Sequence, residues 1–241
     1  AQTYKPAELI IIDDVSPIDI SLIINSIQNL PPVKIIRHES NIGHAKSRNE
    51  GILESKSEYI AFLDHDDIWL PDKTLKQINT FDANPDTDAV FCDVEVFGAK
   101  TKVGSIDQSI TPEKPDFVWF VYHGNYTISA TAVMVKRQAM LDIGLFDSRY
   151  TTTDDFDAWL KILMKAPIVH IPEQLARYRM HEQNTSYSLD RFNDSVLLTS
   201  LVLRYFRAAS PKEKLLLMPR LLRKFIGIVL AYGLRLFKRK K

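Results

Sequence analysis

The stretch Glu58-Tyr-Ile-Ala-Phe-Leu-Asp-His-Asp-Asp-Ile-Trp-Leu-Pro-Asp-Lys73 decides the predicted fold. Its beginning, Tyr59 to Leu63, is a short apolar run with aromatic and β-branched members, which is typical of a buried strand. Pro71 then opens a helical pattern, since proline is tolerated in the first turn of a helix. Three carboxylates therefore stand at the carboxyl end of a buried strand, just before a helix.

These carboxylates belong to Asp64, Asp66 and Asp67. In an open α/β sheet, ligands bind in the crevice outside the carboxyl ends of the strands. Carboxylates packed this closely repel one another unless a cation or hydrogen-bond donors offset them. The D-x-D spacing suits Mg²⁺ or Mn²⁺, which such oxygens commonly share with substrate phosphates. The alternative for so short a motif is a solvated acidic loop that caps the helix.

The chain before this motif alternates between strand and helix patterns. The strand Leu9 to Ile12 ends in Asp13 and Asp14, and a helix pattern and the strand Val33 to Ile36 follow. A loop from residue 41 then leads into a second helix. The alternation predicts a parallel sheet with right-handed crossovers, in which the acidic strand ends face one crevice. A helix cap is the alternative role for either acidic residue.

A second acidic cluster contains Asp154, Asp155 and Asp157. It opens a helix whose apolar residues share one buried face, namely Phe156, Trp159, Leu160 and Leu163. Thr153 or Asp154 can cap that helix, and acidic groups near its amino end favour the helix dipole. Capping requires one side chain, so we expect a functional role for at least one of the three.

His181 ends a strand pattern that begins at Gln174, and it shares a face with Arg179. A single histidine is most often an ordinary surface or core residue. At the end of a late strand in an acidic α/β fold, it is also a candidate metal ligand.

The charge of the 241-residue chain is unevenly distributed. Residues 211–241 contain ten Lys or Arg and one Glu, a net charge of +9, whereas the whole chain carries +1. Apolar residues recur along this tail at spacings of three and four, from Leu215 to Leu236. A basic amphipathic helix of this kind can lie in an anionic membrane surface. The alternatives are a helix docked on the domain and a coiled-coil seam.

Composition limits the remaining classes. The chain is 45% hydrophobic and 25% charged, which is typical of a globular protein with a sizeable core. Its one cysteine, Cys92, excludes a disulfide within the chain and fits a reducing compartment. No stretch reaches the roughly 18 apolar residues that a membrane-spanning helix needs.

Several motifs together are more specific than any one of them. They are Leu9-Ile-Ile-Ile-Asp-Asp14, Asn41-Ile-Gly43 with Arg48, Asn49 and Gly51, Leu63-Asp-His-Asp-Asp-Ile-Trp69, Gly144-Leu-Phe-Asp147, Asp154-Asp-Phe-Asp-Ala-Trp159, and Tyr178-Arg-Met-His181 with Asn184 and Ser186. This combination resembles the family 2 glycosyltransferases of the GT-A fold, over residues 1 to about 188. The fold class is therefore α/β, with a GT-A-like open, mostly parallel sheet, flanking helices and a C-terminal helical appendage.

The resemblance implies an inverting nucleotide-sugar transferase that depends on Mg²⁺ or Mn²⁺. It places Asp13, Asp14 and Arg48 in the nucleotide-binding region. Asp66 would be the main metal ligand, with Asp64 near the ribose or the metal and His181 as a late metal ligand. The general base is carried to Asp155, with Asp154 as the alternative. The implied partners are a nucleotide-sugar donor and a glycan or lipid-linked acceptor, as in polysaccharide biosynthesis.

Two departures from the family pattern affect these expectations. Val15 stands where the family usually has glycine. The family's first strand and most of its first helix would precede Ala1, so we expect an amino-terminally truncated domain at residues 1–188 that binds donor weakly. Residues 189–241 would form a helical, basic tail. We expect a cytoplasmic protein, peripheral on the cytoplasmic face of a membrane.

Two other classes of protein fit parts of the pattern. A receiver or phosphatase-like α/β domain also gathers aspartates around Mg²⁺ at strand ends, but it needs neither the second acidic cluster nor His181. A non-catalytic module that binds nucleotide sugar or glycan would bind donor without transferring sugar.

Overall fold

The computed structural model describes residues 1–98, 111–124, 128–150, 153–181, 184 and 191–239. The strands are β1 Leu9–Asp13, β2 Val33–Arg37, β3 Tyr59–Ala61, β4 Ile68–Trp69, β5 Ala89–Gly98, β6 Val133–Lys136 and β7 Ile168–Met180. The α-helices are α1 Ile20–Asn25, α2 His44–Glu54, α3 Lys73–Ala83, α4 Phe117–Trp119, α5 Arg137–Asp142, α6 Asp154–Leu163, α7 Arg191–Phe206 and α8 Pro211–Arg239. A π-helical turn, Phe120–Gly124, follows α4 directly.

The described strands form two sheets. β1 and β2 pair in parallel, and the other five lie in the order β3-β6-β5-β7-β4. Within the larger sheet β5 and β7 are parallel, whereas β3/β6, β5/β6 and β4/β7 are antiparallel. The predicted α/β class is confirmed, with a sheet that is mixed. The early β-α-β alternation could not place β6, which comes more than 70 residues after β3 and inserts between β3 and β5.

The helix α6 packs against the larger sheet as its sequence pattern predicts. Phe156, Trp159 and Leu160 are buried, and Leu163 packs on the same cluster. The Trp159 ring lies 6.2 Å from the Phe62 ring centroid, just before the acidic motif. Because such large side chains contribute several kcal/mol of core stability, this contact fixes α6 relative to the carboxyl end of β3.

The strands β5 and β7 run side by side for most of their length and carry the site at their far ends. Gly98 ends β5 with φ +104°, and a Cβ there would lie 2.5 Å from the carbonyl oxygen of Met180. Only glycine fits this approach. The close pairing leads β7 to His181, beside the acidic turn that follows β3.

The C-terminal helices pack on the same core. Leu201 of α7 and Leu217 and Leu221 of α8 are buried in the main apolar cluster. Arg220 of α8 donates a hydrogen bond of 2.9 Å to the carbonyl oxygen of Tyr122. No helix in the described part of the chain is both long and apolar enough to cross a membrane. The predicted boundary at residues 188 and 189 falls outside the described residues, as does Ser186.

Candidate functional site

Arg48 of α2 joins the two acidic clusters. Its Nη2 donates to both carboxylate oxygens of Asp64, at 2.8 and 3.0 Å, and its Nη1 donates to Oδ2 of Asp154 at 3.2 Å. The guanidinium also lies over the ring of Phe146, 5.7 Å from its centroid. The neighbouring carboxylates outweigh the effect of burial and raise the pKa of Arg48. One buried cation thus offsets charge from two segments that the sequence separates widely.

Asp154 has both of its carboxylate oxygens occupied by partners on α2. It is only 2% exposed, and Oδ1 lies 2.9 Å from Nε2 of His44, the first residue of α2. The hydrogen bond with Asp154 is the main cause that raises the pKa of His44. A buried carboxylate needs such compensation, because an unpaired buried charge costs several kcal/mol. Asp154 therefore fixes the start of α6 on the start of α2.

Asp155 differs from its neighbour because no cationic side chain among the described residues forms an ion pair with it. Its Oδ1 accepts a hydrogen bond from the backbone N–H of Phe156 at 2.7 Å. Burial and the charge of Asp154 raise the pKa of Asp155 to about 7, although Arg48 opposes them. A carboxyl group that titrates near neutral pH suits general acid–base chemistry.

The acidic turn after β3 is held against the end of β7. Nε2 of His181 lies 2.8 Å from Oδ2 of Asp66, and Nε of Arg179 donates to the Asp66 carbonyl oxygen at 2.8 Å. Asn184 fixes the backbone on either side of His181, because its Oδ1 accepts from the His181 N–H and its amide donates to the Arg179 carbonyl oxygen. These hydrogen bonds bring Asp66 and His181, the two predicted metal ligands, together. The metal-binding role of each stays a prediction.

Asp67 connects the turn to its surroundings. Its Oδ1 accepts from the Arg179 N–H at 2.8 Å, and its Oδ2 accepts from the hydroxyl of Thr131 at 2.6 Å. Burial raises the pKa of Asp67 to about 6, while these hydrogen bonds oppose the shift. The Thr131 hydroxyl oxygen in turn accepts from the Asp64 N–H at 3.3 Å. Asp67 thus orients the turn, and the spacing alone did not distinguish it from its neighbours.

Two of the predicted metal ligands lie together at this turn. Carboxylate oxygens suit Mg²⁺ and Mn²⁺, and Nε2 of His181 lies within hydrogen-bond distance, 2.8 Å, of Oδ2 of Asp66. Within the described ranges, no three His, Cys, Asp or Glu side chains are gathered to hold a metal ion. Asp64 is bound to Arg48 instead, so its part in metal binding stays a prediction.

Asp13 and Asp14 are both engaged within the protein. Asp13 accepts from the Ser16 N–H at 2.8 Å and lies 3.0 Å from Arg37, and the Ser16 hydrogen bonds are the main cause that lowers its pKa. The two carboxylate oxygens of Asp14 accept from the N–H groups of Ile42 and Gly43, both at 2.9 Å. Burial alone would raise the pKa of Asp14, but these hydrogen bonds and His38 lower it.

Asp14 therefore anchors the loop that presents α2 and Arg48. His38 extends this anchor, because its two ring nitrogens lie 2.8 Å from Asp14 and 2.6 Å from Glu50. Val15 follows with φ +70°, a left-handed backbone conformation that favours glycine. A β-branched residue there is strained by roughly 1 to 2 kcal/mol.

The structure groups the predicted site residues into three sets. Arg48, Asp64, Asp154 and Asp155 form one, Asp66 and His181 form the second, and Asp13 and Asp14 lie behind the loop that carries Arg48. Sequence reasoning missed His44 and Thr131. His44 stands inside the quoted Asn41 to Gly51 motif, whereas no local signal distinguishes Thr131.

Comparison with known proteins identifies the class. A model described as glycosyl transferase family 2 matches residues 1–142, which is more than half of the chain, so the chain belongs to this family. An uncharacterized glycosyltransferase of Rickettsia typhi is 31% identical over 211 residues, which cover 83% of this chain and 63% of the relative. An uncharacterized glycosyltransferase of Haemophilus influenzae is 27% identical over 194 residues, which cover 80% of this chain.

One relative is named for a specific activity, the UDP-Glc:alpha-D-GlcNAc-diphosphoundecaprenol beta-1,3-glucosyltransferase WfaP of Escherichia coli. It is 30% identical over 165 residues, which cover 68% of this chain and 62% of the relative. The chain spans between about a third and two thirds of the length of the uncharacterized glycosyltransferases that it matches.

Solved structures share the fold at lower identity. S. aureus TarS 1-349 in complex with UDP-GlcNAc matches with a TM-score of 0.65 and 19% identity, over 84% of this chain and 60% of TarS 1-349. A mannosyltransferase from Pyrobaculum calidifontis, in complex with GDP-Man and Mn²⁺, matches with a TM-score of 0.64 and 17% identity. That match covers 96% of this chain and 68% of the mannosyltransferase. The fold is therefore that of the GT-A glycosyltransferases.

The ion pairs of Arg48 predict a large stability difference between two arginine substitutions. Arg48→Met should lower the free energy of unfolding by about 3 kcal/mol, because it leaves buried Asp154 short of a partner. Arg149→Met is the matched control, since Arg149 is exposed and pairs with Asp147 near the surface; it should change the free energy of unfolding much less than Arg48→Met does. Urea unfolding at pH 7 measures both, and equal losses would contradict a central role for Arg48.

Proposed function

We propose that this protein transfers a sugar from a nucleotide-diphosphate donor to a hydroxyl group of a glycan or lipid-linked acceptor, with inversion at the anomeric carbon. The observation that carries the proposal is the position of Asp155. Burial and the charge of Asp154 raise the pKa of its carboxyl group, which lies beside the Arg48 network, at the end of the sheet that carries Asp66 and His181. Relatives and structural neighbours whose names include UDP-Glc, UDP-GlcNAc and GDP-Man support a nucleotide-sugar donor.

The proposed base is Asp155, which accepts the proton of the acceptor hydroxyl as that oxygen attacks the anomeric carbon. A single attack opposite the leaving diphosphate inverts the centre. With a pKa of about 7, the group is substantially ionised at neutral pH and still basic enough to accept a proton. Asp154 is the weaker candidate, because its two oxygens are already bound to His44 and Arg48.

The proposed donor site lies along the loop and turn that Arg48 joins. Asp14 contributes to nucleotide binding by fixing the backbone that leads into α2, and Asp13 contributes by fixing the turn after β1 through Ser16. Asp64 and Arg48 lie closer to the sugar diphosphate. A divalent ion, Mg²⁺ or Mn²⁺, when bound, would offset charge on the leaving diphosphate as a Lewis acid. Asp66 and His181 are its proposed ligands, with Asp64 as a further candidate.

Amide substitutions separate the proposed roles. In the three variants Asp154→Asn, Asp155→Asn and Asp157→Asn, donor affinity in Mn²⁺ is measured by calorimetry and turnover with a working acceptor. Asp155→Asn should keep donor affinity and lose roughly 10²- to 10⁴-fold in kcat, because an amide cannot accept the hydroxyl proton.

The three variants also distinguish other assignments. If Asp154→Asn loses turnover while Asp155→Asn stays within a few-fold of wild type, the base is Asp154. If wild type binds donor and transfers nothing to any acceptor, the protein is a binding module and the proposal of a transferase fails.

We also propose that α8 holds the protein on the cytoplasmic face of a membrane as a peripheral protein. Leu215, Met218, Leu222 and Ile226 form an exposed apolar stripe at spacings of three and four, and Leu215 is 76% exposed. Leu217 and Leu221 lie on the opposite side of α8, buried in the core. The helix is therefore docked through one face and open on the other, and its basic residues suit anionic lipids.

Substitution of the exposed stripe tests this surface without uncovering the core. Changing its four residues to Ser should weaken binding to phosphatidylserine vesicles at least tenfold, because apolar area and lipid charge act together in such helices. The matched control changes Leu22 and Ile23 of α1, also exposed, to Ser. Co-sedimentation in low and high salt measures binding; equal binding by stripe variant and wild type would remove the membrane from the proposal.

A further inference from the structure

Asp157 is the acidic residue of α6 that the proposed chemistry does not use. Its side chain is fully buried, with Oδ1 accepting from the hydroxyl of Tyr205 at 2.7 Å and Oδ2 lying 2.6 Å from Nζ of Lys161. At about 100° per helical residue, Asp155 and Asp157 lie roughly 200° apart around the axis. Asp157 thus faces away from the proposed base and binds the C-terminal helices.

Tyr205 belongs to α7, so its hydroxyl joins that helix to α6. Burial, together with the hydrogen bond to the Asp157 carboxylate, raises the pKa of Tyr205. The phenol therefore remains protonated at neutral pH and can donate. A hydrogen bond to a charged acceptor is stronger than one between neutral groups, and the low exposure of Asp157 strengthens it further. Leu201 and Val202, on the preceding turn of α7, are buried in the main cluster and hold Tyr205 in place.

A second contact supports α6 from the same direction. The ring of Phe156 stacks on Phe120, with ring centroids 5.4 Å apart. Phe120 begins the π-helical turn that also contains Tyr122, which Arg220 of α8 contacts through its carbonyl oxygen and its ring. The side of α6 opposite Asp155 is therefore packed on segments that α7 and α8 hold.

We propose that Tyr205 is a positioning residue for the transfer reaction, acting through Asp157 to set the rotation of α6 and so the direction of Asp155. The inference rests on the proposed function for its catalytic part. Asp154 and Asp157 lie three residues apart, about 60° around the helix axis, so α2 and α7 hold the same side of the first turn of α6. Asp155 belongs to that turn, so its direction depends on α7 as well as on α2.

Hydrogen exchange and turnover of Tyr205→Phe test this role. Loss of the hydroxyl should speed exchange of the α6 amides, residues 154–163, at least tenfold, the change expected when a hydrogen bond to a buried charge is lost. The same variant should lose roughly tenfold or more in kcat, because a small displacement of a reacting group costs rate steeply. The KM for donor should stay within twofold, since the donor site lies on other segments.

Tyr122→Phe is the matched control. Its hydroxyl also joins the domain to a C-terminal helix, through the Leu216 carbonyl oxygen at 3.2 Å, but it does not touch α6. Exchange of α6 and kcat should both remain at the wild-type value in this variant. Asp157→Ala alone and combined with Tyr205→Phe should give similar losses in kcat, because the two residues act through one contact.

The outcomes show whether the hydrogen bond between Tyr205 and Asp157 holds α6, and whether that hydrogen bond affects turnover. Unchanged exchange of α6 in Tyr205→Phe overturns the proposal, as does faster exchange with unchanged kcat. Additive losses in the double variant would also overturn it, since Tyr205 would then act independently of Asp157. If wild-type protein transfers no sugar, the proposed function fails, and the exchange comparison still decides whether Tyr205 holds α6.

Discussion

The guanidinium of Arg48 is the interaction on which the arrangement of this site depends. It binds Asp64 with two hydrogen bonds and Asp154 with a third. Without a cation between them, the carboxyl end of β3 and the amino end of α6 would bring like charges together in a poorly solvated place. The position of Arg48 depends in turn on Asp14, which binds the backbone before α2. A residue directly after the first strand thus determines how two distant acidic segments meet.

A consequence is that the aspartates of the site have different partners. Asp13 pairs with Arg37, Asp14 with the loop before α2, Asp64 with Arg48, Asp66 with His181, Asp67 with Thr131 and Arg179, Asp154 with His44 and Arg48, and Asp157 with Tyr205 and Lys161. Within the described part of the chain, Asp155 alone in this set is bound only by the neighbouring backbone N–H. Environment, and not residue type, therefore distinguishes the proposed base from its neighbours, as is common in acid–base sites.

The sequence predicts those features that depend on local pattern. The acidic turn after β3, the buried face of α6 and the amphipathic tail each follow from residues close together in the chain. The approach of His181 to Asp66 was expected from the family resemblance, and because His181 ends a late strand of an α/β fold. The order β3-β6-β5-β7-β4 was not predictable in this way, because antiparallel pairing of β3 with β6 leaves no signal in either strand.

Contacts over long sequence separations lie beyond local pattern as well. His44 and Asp154 are 110 residues apart, and Tyr205 and Asp157 are 48 apart. No residue near His44 or Tyr205 in the sequence indicates the partner of that side chain. Three aspartates within four positions did indicate that capping could not explain them all, and the structure gives each a separate environment.

The central claim is that this environment raises the pKa of the Asp155 carboxyl group toward neutral pH. The direct measurement is a carbon-13 NMR titration of the aspartate side-chain carboxyl carbons between pH 3 and 9, with Asp155→Asn to assign the resonance. The account predicts an apparent pKa of about 7 for Asp155. A value near 4, that of an ordinary exposed aspartate, would contradict it.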